Sequence, residues 1–166
     1  MRNSKVSKTT IFTGIAGIAL LTTSVVPVFG WITGIIGAVL MGISIHRIGK
    51  VYNTGLMKYY ISSVISFLAG IVLFSLSSTV FSKHAFIFCV ATAYLLFLVS
   101  AVNGYKLAEK LAETTGIKSF QTAGILYMIG SLLSVLITGF VIIFSASGMF
   151  ATGLWQMRKL QVHPER

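Results

Sequence analysis

The sequence has few charged residues, and acidic residues are the scarcest. Only 10% of the 166 residues are charged, with three Asp or Glu against thirteen Lys or Arg. Soluble domains usually carry about 25% charged residues. A chain that is 55% hydrophobic, with a mean hydropathy of +0.91, has too few charges to cover a soluble surface. We therefore expect one domain whose main solvent is lipid.

Cysteine is limited to Cys89, which lies within an apolar segment. A single thiol forms no disulfide within the chain, and no metal-ligand spacing surrounds it, so we interpret it as a packed apolar side chain. The predicted spans also lack Asp, Glu, Lys and Arg, the groups that mark proton relays and ion pathways in membranes. Phosphate loops, nucleophile elbows and zinc motifs are absent. We expect no enzymatic activity, no cofactor and no metal site.

The formal charge of +10 raises the possibility of nucleic-acid binding. The basic residues, however, are grouped between apolar stretches and form no single stripe. This distribution favours phosphate headgroups. The predicted partner is a lipid bilayer with anionic headgroups on its cytoplasmic side, and nucleic acid is not expected.

The longest uncharged tract covers residues 119–157, thirty-nine positions without Asp, Glu, Lys, Arg or His. As one helix it would be roughly 58 Å long, whereas a bilayer core is about 30 Å thick. The tract must therefore turn, and Thr138 and Gly139 lie near its middle. We predict a helical hairpin with its turn at these two residues.

The remaining apolar segments complete an all-α, polytopic membrane bundle of three hairpins. Pro27 and Gly30 separate the first two helices. A polar loop is expected over 46–58, and a short turn holds Lys83 and His84. The predicted spans lie near 10–27, 30–46, 59–80, 86–103, 121–137 and 140–157.

Six spans place both termini on the same side as the segments 46–58 and 104–119. Twelve of the thirteen Lys and Arg then lie on that side, and Lys83 lies on the other. Because Lys and Arg concentrate in cytoplasmic loops, we expect both termini in the cytoplasm of a multi-pass plasma-membrane protein.

Small residues share one face on each of the first two predicted helices. Such residues let helix backbones approach closely where van der Waals packing holds them together. We predict packing within the first hairpin, with a homo-oligomer interface or a pore lining as alternatives. The residues are Gly14, Gly17, Gly30, Gly34, Gly37 and Ala38.

The segment 104–118 is amphipathic. Its charged residues suggest two i,i+3 ion pairs, Lys106–Glu109 and Lys110–Glu113. Gly116 is expected to end the helix. The opposite face is small and apolar, so the segment is expected either to rest on headgroups or to dock a partner through its charges. That opposite face consists of Ala101, Ala108, Leu111 and Ala112.

The run that follows Leu111 resembles the end of a domain-of-unknown-function family of small, mostly archaeal, multi-pass membrane proteins. In that family a Lys/Glu segment leads through T-G-x-K-x-F to a T-A-G-x-L-Y-x-I-G hairpin. The resemblance implies a topology and no activity. The matching residues are Thr115, Gly116, Lys118, Phe120, Thr122, Ala123, Gly124, Leu126, Tyr127, Ile129, Gly130 and Gly139.

These features favour a non-enzymatic assembly or accessory subunit, or a membrane scaffold, within a larger membrane complex. The alternative is a passive channel or small-solute transporter, expected to be oligomeric, whose lining would be carbonyls or hydroxyls.

Overall fold

The chain is all-α, as predicted. The computed structural model describes residues 6–23, 30–77, 79, 82–133 and 137–162. Within these ranges there are six helices: α1 (Lys8–Thr23), α2 (Gly30–Tyr52), α3 (Leu56–Ser77), α4 (Lys83–Thr115), α5 (Lys118–Leu132) and α6 (Ile137–Val162).

The helices pack in a closed ring that follows the chain. The most extensive contacts join α1 to α2, α3 to α4 and α5 to α6. Smaller contacts join α2 to α3 and α4 to α5, and α6 returns to pack against α1. Helices α2 to α5 therefore pack mainly against their two sequence neighbours, and α1 and α6 each pack against one sequence neighbour and against each other.

Among the described residues, three helices are long and apolar enough to cross a membrane: 32–52 within α2, and the whole of α3 and α4. The apolar helix α1 is shorter, with 16 residues or about 24 Å. Helix α4 has 33 residues and is about 50 Å long, well beyond a bilayer core of about 30 Å. Part of α4 must therefore lie outside any bilayer that it crosses.

The hydrophobic core lies at one end of the ring. This end contains the start of α1, the α2–α3 and α4–α5 turns, and the last turns of α6, and we call it the basic end. Its described basic residues are Lys8, Arg47, Lys50, Lys58, Lys106, Lys110, Lys118, Arg158 and Lys159. The largest fully buried apolar side chains are Ile11, Ile45, Ile48, Leu56, Leu111, Phe120, Leu154 and Met157.

Away from the basic end, many large apolar side chains point outward. Ile35 and Val141 are each 64% exposed, and Phe88 is 72% exposed. Soluble proteins rarely show contiguous apolar surface on this scale. In lipid such exposure carries no penalty, because acyl chains are as apolar as leucine. The pattern agrees with a membrane environment.

The predicted polar loop over 46–58 is wrong in extent. Helix α2 continues to Tyr52, and only 53–55 separate it from α3. The reason is helical periodicity: Met41, Ile45 and Ile48 are all buried on one face, while Arg47 points outward. The basic residues form the exposed side of an amphipathic helix end.

The predicted turn at Thr138 and Gly139 is also misplaced. Helix α5 ends at Leu132, and both residues lie within α6, which begins at Ile137. Glycine is tolerated inside membrane helices, where backbone groups must be satisfied within the helix. The two helices divide the tract unequally because α5 ends at Leu132, before the middle of the tract.

The remaining helix ends compared with the prediction are those of α1 and α4. The described part of α1 reaches Thr23, and the rest of the predicted first span, including Pro27, lies outside the described residues. Helix α4 joins the predicted span 86–103 to most of the amphipathic segment without a break. Gly116 ends it as predicted, with a φ of 72° and its N–H donated to the Ala112 carbonyl at 2.8 Å.

Candidate packing and docking sites

The closest backbone contact lies between α1 and α2. A Cβ atom added at Gly17 would lie 2.7 Å from the Met41 nitrogen and 2.9 Å from the Gly37 carbonyl oxygen. A Cβ at Gly37 would lie 2.8 Å from the Gly17 oxygen. The two glycines therefore bring the helix backbones into direct contact.

The remaining predicted packing residues are divided among different neighbours. A Cβ at Gly14 would meet the Ser44 hydroxyl of α2 at 2.6 Å and the side chain of Leu154 in α6 at 2.9 Å. Ala38 offers its carbonyl to the Tyr60 hydroxyl of α3. Gly34 is half-buried, and Gly30 is the first residue of α2.

Four other glycines accommodate aromatic rings from neighbouring helices. A Cβ on any of them would lie 2.7–3.0 Å from a ring carbon. Sequence reasoning missed these contacts, because glycine and aromatic residues are frequent throughout the chain and neither identifies its partner. The pairs are Gly42–Tyr60, Gly70–Phe97, Gly104–Tyr127 and Gly153–Phe120.

Hydroxyl groups add hydrogen bonds between helices. Ser44 donates to the Thr10 carbonyl at 2.9 Å, joining α2 to α1. Ser63 donates to the carbonyl of Ser100 at 2.9 Å, and the two hydroxyl oxygens lie 3.0 Å apart. The hydroxyl groups of Ser63 and Ser100 thus join α3 to α4.

A groove of about 340 Å³ lies at the α2–α3 turn. It is open to the surface, and Asn53 in its lining adopts a left-handed conformation with a φ of 52°. Since α2, the turn and α3 supply all the lining, the groove lies beside the ring and does not pass through it. The lining residues are His46, Gly49, Lys50, Asn53, Thr54, Gly55 and Met57.

The predicted docking residues lie on the last turns of α4, and we call Lys106, Glu109, Lys110 and Glu113 the charged face. Lys110 pairs with Glu113 at 3.0 Å, and their side chains are 50% and 59% exposed. This hydrogen bond and the charge of Glu113 raise the pKa of Lys110. The predicted Lys106–Glu109 pair is wrong: Glu109 accepts a hydrogen bond from the Tyr105 hydroxyl at 3.0 Å instead.

The opposite side of this segment is packed within the protein. Ala101, Ala108 and Leu111 are almost fully buried. A Cβ added at Gly124 of α5 would lie only 2.9 Å from the Cβ of Ala108. Helix α5 therefore covers this apolar face, which packs against another helix of the same chain and does not rest on headgroups. The charged face lies on the other side of the segment.

These features define a membrane-associated helical protein, and comparison with known proteins places it in a family. The chain belongs to the family described as Protein of unknown function (DUF996), whose model matches residues 75–147. The chain is also similar to "Uncharacterized protein MJ1644" of Methanocaldococcus jannaschii, with 30% identity over 149 residues. That alignment covers 80% of this chain and 83% of the relative. No solved structure matches. The resemblance predicted from the sequence is confirmed.

Proposed function

We propose that this chain is a six-span plasma-membrane protein with three helical hairpins and both termini in the cytoplasm. The basic end supports this orientation, because it gathers Lys and Arg from both terminal helices and both of its turns. Lys83 begins α4 at the other end. The end of α4 beyond about residue 103 would then project into the cytoplasm.

Within this topology the protein acts as a non-enzymatic assembly or accessory subunit that docks a cytoplasmic partner through the charged face. One observation carries the proposal: the charged face lies on a helix whose opposite side packs tightly against α5. Lys110 and Glu113 are both about half exposed. A fixed pattern of both charge signs gives orientation and specificity to an interface more than affinity.

The packed core supports this role over that of a channel or transporter. A solute path along the ring axis would cross the basic end, where Ile45, Leu111 and Leu154 are fully buried. A pore between copies of the chain would be lined by outer helix faces rich in exposed Ile, Val, Leu and Phe. Among the described residues both routes are predominantly apolar, whereas selective pores are lined by hydroxyls or carbonyls.

Exchange of one ion pair tests the docking role. The double variant Lys110→Glu with Glu113→Lys keeps an opposite-charge pair one turn apart but reverses its direction. We expect a stoichiometric partner to co-purify with the wild-type chain after gentle detergent extraction and to be lost from the full-length double variant. Membrane insertion and thermal stability of the variant should remain unchanged. Co-purified protein is measured by quantitative mass spectrometry.

The matched control is Lys118→Glu, an exposed charge reversal just beyond the α4–α5 turn. It should retain the partner. Equal partner recovery with the double variant would refute docking through the charged face. Solute flux through the purified wild-type chain in liposomes, without a second protein, would favour the channel.

A further inference from the structure

Arg158 lies between two aromatic rings at the basic end. Its guanidinium carbon is 5.0 Å from the centre of the Phe12 ring in α1 and 4.7 Å from that of Trp155 in α6. The two rings meet edge to face with centroids 6.2 Å apart. We call these three residues the arginine clamp. We propose that the arginine clamp binds the phosphate group of an anionic membrane lipid.

The first argument is that neither aromatic ring supplies an oxygen acceptor for the N–H groups of the guanidinium. Aromatic rings attract the cation through their faces and accept none of its five N–H donors in plane. Within the part of the chain that the structure describes, Arg158 forms no ion pair with a carboxylate. A planar fork held in one orientation is suited to bidentate contact with phosphate oxygens.

The second argument is electrostatic. Lys8 begins α1 one turn before Phe12, and Lys159 follows Arg158 directly; both lysines are exposed. The described carboxylates, Glu109 and Glu113, lie on α4 and interact there with Tyr105 and Lys110. The α1–α6 surface therefore carries an excess of positive charge that an anion would offset.

The third argument identifies the source of the anion as lipid. Phe12 is 48% exposed and Trp155 is 41% exposed, as expected for aromatic side chains at headgroup level. Further along α1, the exposed residues Ala16 and Ala19 are small and apolar, and they leave space for an acyl chain. The inference rests on the proposed membrane orientation but is independent of partner docking by the charged face.

Trp155 provides a local reporter. In a Trp31→Phe background it is the one remaining tryptophan, and lipids brominated on their acyl chains quench its fluorescence on contact. The full-length chain is reconstituted in mixtures of brominated phosphatidylglycerol with unlabelled phosphatidylcholine, and in the reverse mixture. We expect phosphatidylglycerol to be enriched about fivefold beside Trp155.

Three variants separate the clamp from general positive charge. Arg158→Lys keeps the charge but loses the planar fork, and Phe12→Leu removes one ring. Both should lower the enrichment to less than about twofold, whereas the control Lys50→Gln, which removes an exposed charge on α2 and leaves the α1–α6 surface unchanged, should change it little. Far-UV circular dichroism and gel filtration establish that each variant folds.

Three results would overturn the proposal. If Arg158→Lys retains full enrichment, or if Lys50→Gln reduces it as much as Arg158→Lys does, the surface attracts lipid through charge alone. If millimolar inorganic phosphate abolishes the enrichment, the site takes free phosphate and the assignment to lipid is wrong. Loss of partner binding without loss of lipid enrichment would affect only the docking proposal.

Discussion

The contact between Gly17 and Gly37 makes a quantitative prediction about stability. Alanine at Gly17 would place its methyl group 2.7 Å from the Met41 nitrogen, and alanine at Gly37 would place it 2.8 Å from the Gly17 oxygen. The nearest atoms at both positions belong to backbone, so a change of side-chain rotamer does not relieve the overlap. Either substitution must push α1 and α2 apart.

The size of the effect follows from the distances. Ordinary van der Waals contact begins at 3.4 Å, so the helices must separate by roughly 0.6 Å along the contact. Overpacking of this kind costs about 1–3 kcal/mol. For a chain of this length, each kcal/mol corresponds to about 2–4 °C in melting temperature, so the expected loss is about 2–12 °C.

Thermal unfolding of the purified variants in one detergent, followed by tryptophan fluorescence, measures the loss. Gly148→Ala is the matched control, because Gly148 also lies within a helix but nothing approaches its Cβ position within 4 Å. We expect Gly148→Ala to melt within about 2 °C of wild type. If Gly17→Ala and Gly37→Ala have the same melting temperature as Gly148→Ala, the backbone contact does not exist in the detergent-solubilised protein.

Three further predictions concern a helix end, the topology and a buried hydroxyl. Gly116→Ala should cost about 1–2 kcal/mol in denaturant titrations because of its left-handed backbone, and an unchanged midpoint would contradict this. In a background without the native cysteine, a cysteine at Asn53 should react only from the cytoplasm and one at Ser82 only from outside; external labelling of Asn53 excludes the six-span topology. Ser44→Ala should cost about 0.6–1.7 kcal/mol through its lost bond to α1, while Ser145→Ala, whose hydroxyl bonds within its own helix, should be neutral; equal melting temperatures would argue against the interhelical bond.

The number of helices could be predicted because lipid imposes a simple requirement. Apolar segments must reach a minimum length, and charged residues must lie between them. Gly116 could be predicted as a helix end because only a left-handed residue without Cβ strain fits there. Both features depend on local sequence.

The turn between α5 and α6 could not be placed for the same reason. No charge interrupts 119–157, and glycine in lipid is compatible with a continuing helix, so the midpoint carried no real information. Similarly, the helical periodicity of 104–118 identified its apolar side but not the element that packs against that side. Whether Ala108 meets headgroups or Gly124 depends on the path of a separate helix.

The contacts between aromatic rings and glycines could not be predicted from the sequence. Each contact depends on the positions of two residues on two different helices. Gly104 contacts the ring of Tyr127 because α4 and α5 pack against each other at these two positions. With twelve Phe, six Tyr and sixteen Gly in the chain, many pairings satisfy the composition equally well. Tertiary packing alone selects among them.

The position of the core bears directly on function. Tight packing at the basic end restricts the motion of the helices that carry the charged residues, because fully buried side chains such as Leu111 and Phe120 hold these helices in place. A transporter needs the opposite, a site near the middle of the membrane between elements that rock against each other. The family match over 75–147 includes all of α4, the following turn and α5, the elements that fix the charged face. Rigid packing beneath exposed charges is the arrangement expected of a docking platform, and it is the physical reason for favouring assembly over transport.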